Sequence, residues 1–412
     1  MCGEDIMIGR RNFILTGLAA GAAGAAFAAE GPKTKPVDLK KIEGFNESFE
    51  EKTEGAWQPY SDRRVRVGIA GFGVCRFGAQ FMFEQHPNCE VVAATDLDPV
   101  RCAELAKAVG AKRTYPSAEE MIDKEKEIDA VFIATDARSH ASLVIRALNR
   151  GLHAASAVPA LLGADQLDLV PQLLEAVKKS GRVYAMYETT AFRPQCFAMR
   201  QIYEAGGFGE IVYTEGEYFH YGAGAVKGGI GSYRDWRKGL PPQYYPTHSN
   251  GFYTCTTHKS FTEVTCIGKP SVQERYRANP YNNPYGSEVA LFKTQEGGSA
   301  RMAVCWDLPG NNGERGRCYG QKGCFQNDRY VGDNALVKNV KIVRAALPPG
   351  VRNNGHHGGS HPYLTDDFLK AILTGSRPVC DVKTALDTTV AGIYAHMSAM
   401  KGGETLKIPQ FA

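Results

Sequence analysis

Val67-Gly68-Ile69-Ala70-Gly71-Phe72-Gly73-Val74-Cys75-Arg76-Phe77-Gly78 decides the fold. An apolar run from Val65 to Ala70 reads as a short buried strand and passes into glycines at 71 and 73, then into a stretch expected to be helical. Strand, glycine turn and helix in that order make a dinucleotide cradle. Gly71 permits the tight turn, Gly73 lets backbone amides approach a pyrophosphate, and the helix N-terminus adds unpaired N–H groups and a positive field. The candidate contacts in this run are Gly71, Phe72, Gly73, Val74 and Arg76. Arg76 stands at the third fingerprint position, where close helix–strand packing usually requires glycine, and Gly78 is expected to relieve the crowding.

Twenty residues beyond Arg76, Asp96 ends the next apolar run, Glu90 to Thr95. A carboxylate there accepts hydrogen bonds from an adenosine ribose and repels a 2′-phosphate, so the expected cofactor is NAD, with NADP less favoured. The same rhythm continues outward: helix from about Val100 to Val109, strand near Thr114, helix Ala118 to Lys124, strand Asp129 to Ala134, helix Ser139 to Arg150, strand Leu152 to Ser156, helix Asp165 to Lys179, and strand Val183 to Tyr187. Short apolar strands alternating with helices predict an α/β fold with a Rossmann-like parallel sheet over residues 62–190. Thr135, Asp136 and His140 follow the third strong strand, at the sheet edge where ligands collect. Asp136 either meets cofactor or caps the following helix; His140 either reaches the nicotinamide half or packs against the sheet.

Beyond Glu188 the pattern changes. A helix from Pro194 to Glu204 leads into period-two segments at Ile211 to Phe219, Ser271 to Tyr276, Glu288 to Lys293, Ser299 to Asp307 and Asn339 to Ala345, with few crossover helices. This predicts an α+β domain over 191–412 built on an open, largely antiparallel sheet. Two closing helices, about Pro362 to Leu373 and Val382 to Lys401, are expected to pack back across the junction. An open sheet exposes a broad face, so a homo-oligomer, dimer or tetramer, is expected.

Composition narrows the remaining classes. A net charge of +4 over 412 residues, without a basic stripe, excludes a role in binding nucleic acid. Arg10-Arg11 before the weakly apolar stretch Phe13 to Ala29 resembles a twin-arginine export signal, with Ala26-Phe27-Ala28 as a cleavage site. The stretch falls short of the ~20 residues needed to span a bilayer, so no membrane segment is expected in the mature form. Residues 1–29 are thus read as signal, 30–61 as a linker or arm laid over the fold, and the location as periplasmic or otherwise exported. The eleven cysteines include no C-x-x-C pair, and no metal site is expected. Cys318 and Cys324 are either a disulfide of an oxidising compartment or two buried thiols.

With these motifs in place the chain, from about Arg64 onward, resembles the glucose-fructose oxidoreductase, inositol dehydrogenase and rhizopine-catabolism superfamily. Gly68-Ile69-Ala70-Gly71-Phe72-Gly73, Asp96, Ala134-Thr135 with His140, Gly151-Leu152-His153 and Gly207-Phe208-Gly209-Glu210 carry the resemblance. Tyr245-Pro246-Thr247-His248, Gly320-Gln321-Lys322-Gly323 and Gly355-His356-His357-Gly358-Gly359-Ser360 resemble an exported, sugar-active branch that includes the NAD-dependent α-N-acetylgalactosaminidases. One departure matters. Where many relatives carry Glu-Lys-Pro, this chain has Ala157-Val158-Pro159. Pro159 can support a cofactor-side turn, but valine neither moves a proton nor donates a hydrogen bond.

The resemblance implies that His248 accepts the proton of the hydroxyl whose carbon yields hydride, and that Tyr245 serves a following deprotonation. Around them Glu188, Arg193, Trp236 and His357 are candidate sugar-binding groups, with Glu217, His220, Arg234, Asp235 and Arg237 on the approach. The leading expectation is an exported NAD(P)-dependent oxidoreductase acting on a hydroxyl of a sugar or polyol with tightly bound NAD. The alternatives are an NAD-dependent glycoside hydrolase working by transient oxidation and elimination, and a noncatalytic sugar- or cofactor-binding protein.

Overall fold

In the computed structural model, the described residues are 52–73, 75–221, 236–309 and 313–411. The signal at 1–29, most of the expected linker, Val74, Arg234 and Asp235 lie outside them. The first sheet contains β1 (Val65–Ala70), β2 (Cys89–Thr95), β3 (Arg113–Tyr115), β4 (Ala130–Ile133), β5 (His153–Ser156) and β6 (Tyr184–Met186). It is parallel throughout, in the order β3-β2-β1-β4-β5-β6. Its strands are apolar because both faces are covered: all four residues of β4 and all three of β6 are buried. Helices Pro99–Val109, Ala118–Lys124, His140–Asn149 and Leu169–Ser180 supply the cover.

One element of this half departs from expectation. Between β1 and β2 the chain makes two short 3-10 turns, Phe77–Ala79 and Phe83–Gln85, instead of a helix. Arg76 and Met82 take left-handed φ values of 50° and 57° just before them, a backbone that cannot continue a right-handed helix. The segment is held instead by buried Phe81 and Phe83, which pack against Phe132 and Tyr187. Aromatic burial outweighs local helix preference here.

The second sheet has β7 (Ile211–Phe219), β8 (Phe261–Pro270), β9 (Tyr285–Thr294), β10 (Ser299–Cys305), β11 (Gly313–Gly320), β12 (Gly323–Gln326), β13 (Arg329–Gly332) and β14 (Leu406–Lys407). Their order is β13-β12-β11-β7-β10-β9-β8-β14. Pairing is antiparallel except between β7 and β10. Two expected strands are corrected. Residues 271–276 turn away after Pro270 and form a 3-10 turn at Glu274–Tyr276, because β9 is already paired along the preceding β8. Residues 339–345 are irregular; there the buried Arg344 donates to the carbonyls of Phe192 and Gly358, tying this stretch to the glycine-rich loop at 355–359.

Cys318 and Cys324 are free thiols. The β11–β12 register pairs Cys318 with Phe325 and Tyr319 with Cys324. The two sulfurs therefore point to opposite faces of the hairpin and cannot bridge.

Helices Pro194–Glu204, Thr247–Thr257 and Val382–Met400 cover the inner face of this sheet and join it to the first. Every residue of Thr247–Thr257 is buried. The outer face exposes Val289, Leu291 and Ile267 beside a lattice in which Arg301 and Arg317 both pair with Glu215. The described part of the N-terminal arm lies on helix His361–Thr374, where Asp366 accepts from Trp57 Nε1 at 2.9 Å and the Tyr60 hydroxyl at 2.7 Å.

At Gly216 an added Cβ would collide with the Ser249 carbonyl oxygen, and at Gly316 with the Phe252 ring. These positions set how deeply helix Thr247–Thr257 sits in the sheet. Gly216→Ala should therefore cost about 1–3 kcal/mol of stability, read as a lower denaturant midpoint at unchanged slope. An unchanged midpoint would show that the helix is not seated on this strand.

Candidate active site

A cleft runs along the C-terminal edge of the first sheet, lined by Gly71, Gly73, Arg76, Thr95, Asp96, Arg101, Thr135 and Asp136, and ends against Trp236 and Arg237. Its floor is made by close approach. A Cβ at Gly71 would overlap the Ala134 carbonyl, whereas at Gly73 no atom lies within 4 Å of where a Cβ would stand. Gly78 meets the expectation placed on it: a Cβ there would overlap the Gly71 carbonyl oxygen and crowd Leu105. Among the described residues the glycine turn passes into the 3-10 turn Phe77–Ala79 and not into the expected α-helix. The side chains of Arg76 and Arg101 provide the positive charge along the cleft.

Asp96 does more than end β2. Its Oδ2 accepts the Phe72 amide at 2.7 Å and its Oδ1 the Asp98 amide at 2.9 Å, so it pins the glycine turn. Each oxygen keeps a second lone pair for a ribose hydroxyl. Asp136 Oδ1 is buried without a hydrogen bond among the described residues, while Oδ2 accepts from Ser139 Oγ at 3.1 Å. An open glycine cradle, an unpaired acceptor and two arginines fit a dinucleotide, which would be held by Gly71, Gly73, Asp96, Thr135 and Asp136.

Other expected contacts sit behind the cleft. Asp136 does not cap helix His140–Asn149 with its side chain; no side chain caps that helix. His140 is buried with Nδ1 2.8 Å from the Pro159 carbonyl and Nε2 3.3 Å from that of Thr135. Burial pulls its pKa down against these contacts. It therefore braces the Thr135 loop against the cis Val158–Pro159 turn. Phe72 contributes its amide, and its ring lies 5.4 Å from the Arg76 guanidinium carbon. Val158 itself is buried.

The proton-transfer candidates lie at the cleft's far end. Tyr245 stands just before helix Thr247–Thr257, and His248 is in that helix's first turn. His248 Nδ1 lies 2.8 Å from Glu188 Oε1, which also accepts the Thr190 amide. This leaves Nε2 as the exchangeable atom. The ring is surrounded by Tyr218, Tyr245 and His357, with centroids 4.7, 5.6 and 5.3 Å away. Burial pushes the His248 pKa down, but the carboxylates of Glu188 and Glu314 outweigh it and the net shift is upward. Burial likewise opposes ionisation of Glu188, and His248 reverses that to a net lowering. Tyr245 is pushed up to about 12 by burial, partly offset by Arg237, whose guanidinium lies 5.6 Å from the phenol ring's centroid.

The four expected sugar contacts divide. Glu188 and Arg193 are buried and committed to protein partners, Glu188 to His248 and Arg193 Nε to Glu314 Oε2 at 2.6 Å. Trp236 lines the cleft with Arg237 over its ring at 4.3 Å. His357 holds Nδ1 2.7 Å from Glu314 Oε1 beside His248. Glu217 lies on β7 paired with Arg301, and the half-buried His220 has its pKa pushed down to about 3, chiefly by desolvation and then by Arg237. His356 turns toward Gln80 and His361 toward the Gln80 carbonyl, while the His361 ring stays 5.3 Å from that of His357 and 5.9 Å from that of His356.

Glu314 is a candidate site residue that sequence reasoning missed. It sits on β11 with Glu314 Oε2 also accepting Thr190 Oγ1 at 3.1 Å. Burial disfavours its charge, yet Arg193, His248 and His357 hold its pKa well below the usual range. One donor atom each from His248, Glu314 and His357 lies within 4.8 Å of the others. That triad has metal-ligand chemistry, but Arg193 already supplies the cation at Glu314.

The signs of these shifts make a pH prediction. A raised His248 pKa gives a stability contribution that is full below ~6.5 and is lost as pH rises through the folded value. Lowered Glu188 and Glu314 give contributions present above ~4.3 and lost as pH falls through their folded values. Glu188→Gln should move the His248 imidazole titration, followed by NMR, to lower pH and bring the alkaline loss of stability down with it. An unmoved titration would remove Glu188 as the source.

Comparison with known proteins follows the same outline. Residues 65–188 match the GFO_IDH_MocA family, "Oxidoreductase family, NAD-binding Rossmann fold". Among curated proteins, the chain is 32% identical over 170 residues to glycosyl hydrolase family 109 protein 1 of Bacteroides fragilis, covering 38% of this chain and 35% of that protein. It is 29% identical over 147 residues to an alpha-N-acetylgalactosaminidase of Bacteroides fragilis, covering 34% and 33%. The chain thus spans about a third of the length of these relatives. Among solved structures, the levoglucosan dehydrogenase complex with NADH and levoglucosan superposes with a TM-score of 0.68 at 17% identity, covering 84% of this chain and 100% of that one. The scyllo-inositol dehydrogenase of Lactobacillus casei with NAD(H) and scyllo-inositol gives 0.64 at 15% identity, covering 84% and 99%. These two carry the fold across both sheets, and over residues 65–188 the chain is similar to the NAD-binding Rossmann fold of the GFO_IDH_MocA oxidoreductase family.

Proposed function

We propose that the protein is an NAD-dependent glycoside hydrolase that oxidises a sugar hydroxyl transiently, eliminates the leaving group and restores the hydride. The observation that carries this reading is the His248–Glu188 dyad beside a buried Tyr245, with valine at 158 where an ordinary alcohol dehydrogenase of this type has lysine. The curated relatives named as glycosyl hydrolases support it over the simple oxidoreductase reading that the motifs first suggest.

Bound NAD supplies a reversible hydride acceptor. The chain supplies the rest. His248 Nε2 takes the proton of the hydroxyl being oxidised, and Glu188 stabilises the imidazolium at Nδ1. The new carbonyl acidifies the neighbouring C–H. Tyr245 removes that proton, with Arg237 favouring the phenolate against the burial that opposes it. The leaving group departs, water adds to the same carbon, and the proton steps reverse. No net redox change occurs, so the cycle needs no free nicotinamide pool, which suits the export we propose for residues 1–29. We further propose a homo-oligomer in which a second copy covers Val289, Leu291 and Ile267 on the outer face of the second sheet.

The test is hydrolysis of 4-nitrophenyl α-N-acetylgalactosaminide by protein carrying its NAD. Release of 4-nitrophenol without accumulation of NADH, with deuterium from D₂O appearing on the carbon beside the oxidised one, is expected. His248→Asn should lower the rate about 10²–10⁴-fold while retaining NAD. Net NADH from free sugar, with no 4-nitrophenol released, would instead establish the oxidoreductase.

A further inference from the structure

A further buried histidine–glutamate pair is tied to the backbone just before Tyr245, and the chemistry proposed above does not use it. His396, on helix Val382–Met400, holds Nδ1 2.7 Å from Oε1 of Glu288 on β9, and both side chains are buried. The other carboxylate oxygen, Oε2, accepts the backbone amide of Gln243 at 2.7 Å. Gln243 lies in the 3-10 turn Pro242–Tyr244, which Tyr245 closes. The carboxylate thus joins the closing helix to the turn that delivers the phenol. The turn is fixed from other sides as well. The His396 ring meets Tyr244 edge-on with centroids 4.7 Å apart. One helical turn earlier on the same face is Gly392, where an added Cβ would stand 2.3 Å from the Gln243 carbonyl oxygen and 2.3 Å from Pro246 Cγ. Gln243 Nε2 donates to the Met302 carbonyl on β10 at 3.3 Å. Upstream, Asn283 Nδ2 donates to the Gly239 carbonyl and Trp306 Nε1 to the Leu240 carbonyl, each at 3.1 Å.

Resting on the hydrolase reading above, we infer that Glu288 is a positioning residue for Tyr245, with His396 fixing the orientation of its carboxylate. Stability alone does not call for this pair, since well-packed apolar side chains in place of a buried polar pair are often at least as stable. An apolar pair could not hold the Gln243 amide in one direction. The two proton-transfer groups are therefore anchored separately. His248 is set by its helix and by Glu188, which stands at the end of the first sheet. Tyr245 precedes that helix with φ −124° and ψ 58°, so its place follows from the turn that Glu288 and Gly392 fix. A shift of this turn moves the phenol away from the C–H that it deprotonates and leaves His248 at the hydroxyl. The pair accordingly governs proton removal from carbon and not hydride transfer.

The two steps are read separately in single turnovers of the NAD-loaded protein with 4-nitrophenyl α-N-acetylgalactosaminide. The absorbance of bound NADH reports hydroxyl oxidation, and deuterium from D₂O on the neighbouring carbon reports proton removal. Glu288→Leu should slow deuterium incorporation about 10²-fold, the cost of a misplacement near 1 Å, while bound NADH forms at the wild-type rate and persists longer. Glu288→Gln keeps an oxygen for the Gln243 amide and should recover most of that loss. His396→Phe keeps a ring against Tyr244 but frees the carboxylate to turn, and should fall between them. Gly392→Ala presses on the same turn from the helix side and should show the same selective loss. NAD content and the unfolding midpoint establish which variants are folded, and if Glu288→Leu is not, the other three decide. Equal losses in both steps, or no loss in either, would overturn the positioning role while leaving the hydrolase reading intact. A wild-type protein that incorporates no deuterium would overturn the hydrolase reading and this inference with it.

Discussion

The site depends on how closely one helix lies against one sheet. Thr247–Thr257 is buried at every position, and it reaches that depth because β7 and β11 present Gly216 and Gly316 beneath Ser249 and Phe252. Gly251 on the helix's other side meets Thr190 and Glu188 at 3.2 and 3.4 Å from an added Cβ. Small residues on both sides bring the end of the first sheet, where Glu188 stands, within hydrogen-bond reach of His248. A larger residue at any of these positions would separate the acid from the imidazole it orients.

That packing brings charge into a dry place, and the charges are arranged in compensating pairs. Burying one carboxylate alone is expensive. Here Glu314 meets Arg193 and His357, and Glu188 meets His248. The compensation is local enough to oppose desolvation at each acid, so both stay ionised and both raise the affinity of His248 for a proton. Tyr245 lacks a carboxylate partner and stands by Arg237, so its environment works the other way, narrowing but not cancelling the rise that burial imposes. Two proton acceptors side by side are thereby given opposite electrostatic settings. The carboxylates beside His248 raise its proton affinity, whereas Arg237 beside Tyr245 lowers that of the phenolate.

What the sequence made legible was local. Gly71 and Gly73 after an apolar strand and Asp96 at the end of the next carry their reading within a few residues, and the structure brings them to one cleft. The parallel sheet was legible because strands buried on both faces must be continuously apolar. The helix after β1 failed because its residues do have helical spacing, while Phe81 and Phe83 obtain more burial by leaving the helix for the aromatic cluster at Phe132 and Tyr187. Residues 339–345 failed for a related reason: alternating character resembled a strand, but the buried Arg344 spends its donors on carbonyls of two distant segments. Glu314 gave no local signal at all. It lies among glycines and arginines that read as a polar loop, and only the antiparallel pairing of β11 with β7 turns it inward beneath the histidines.

The absent lysine makes sense in this setting. A lysine at 158 would enter a buried position beside the cofactor turn and bring a further positive charge toward a site that already contains Arg193, Arg237 and a proton-holding His248. Added positive charge would lower the proton affinity of His248, which a dehydrogenase can use because its hydroxyl proton leaves for solvent. The elimination we propose must instead keep the proton available for its return steps. Valine at 158 leaves Glu188 and Glu314 to set the proton affinity of His248. On the hydrolase proposal, valine at 158 suits a site that retains its proton instead of exporting it.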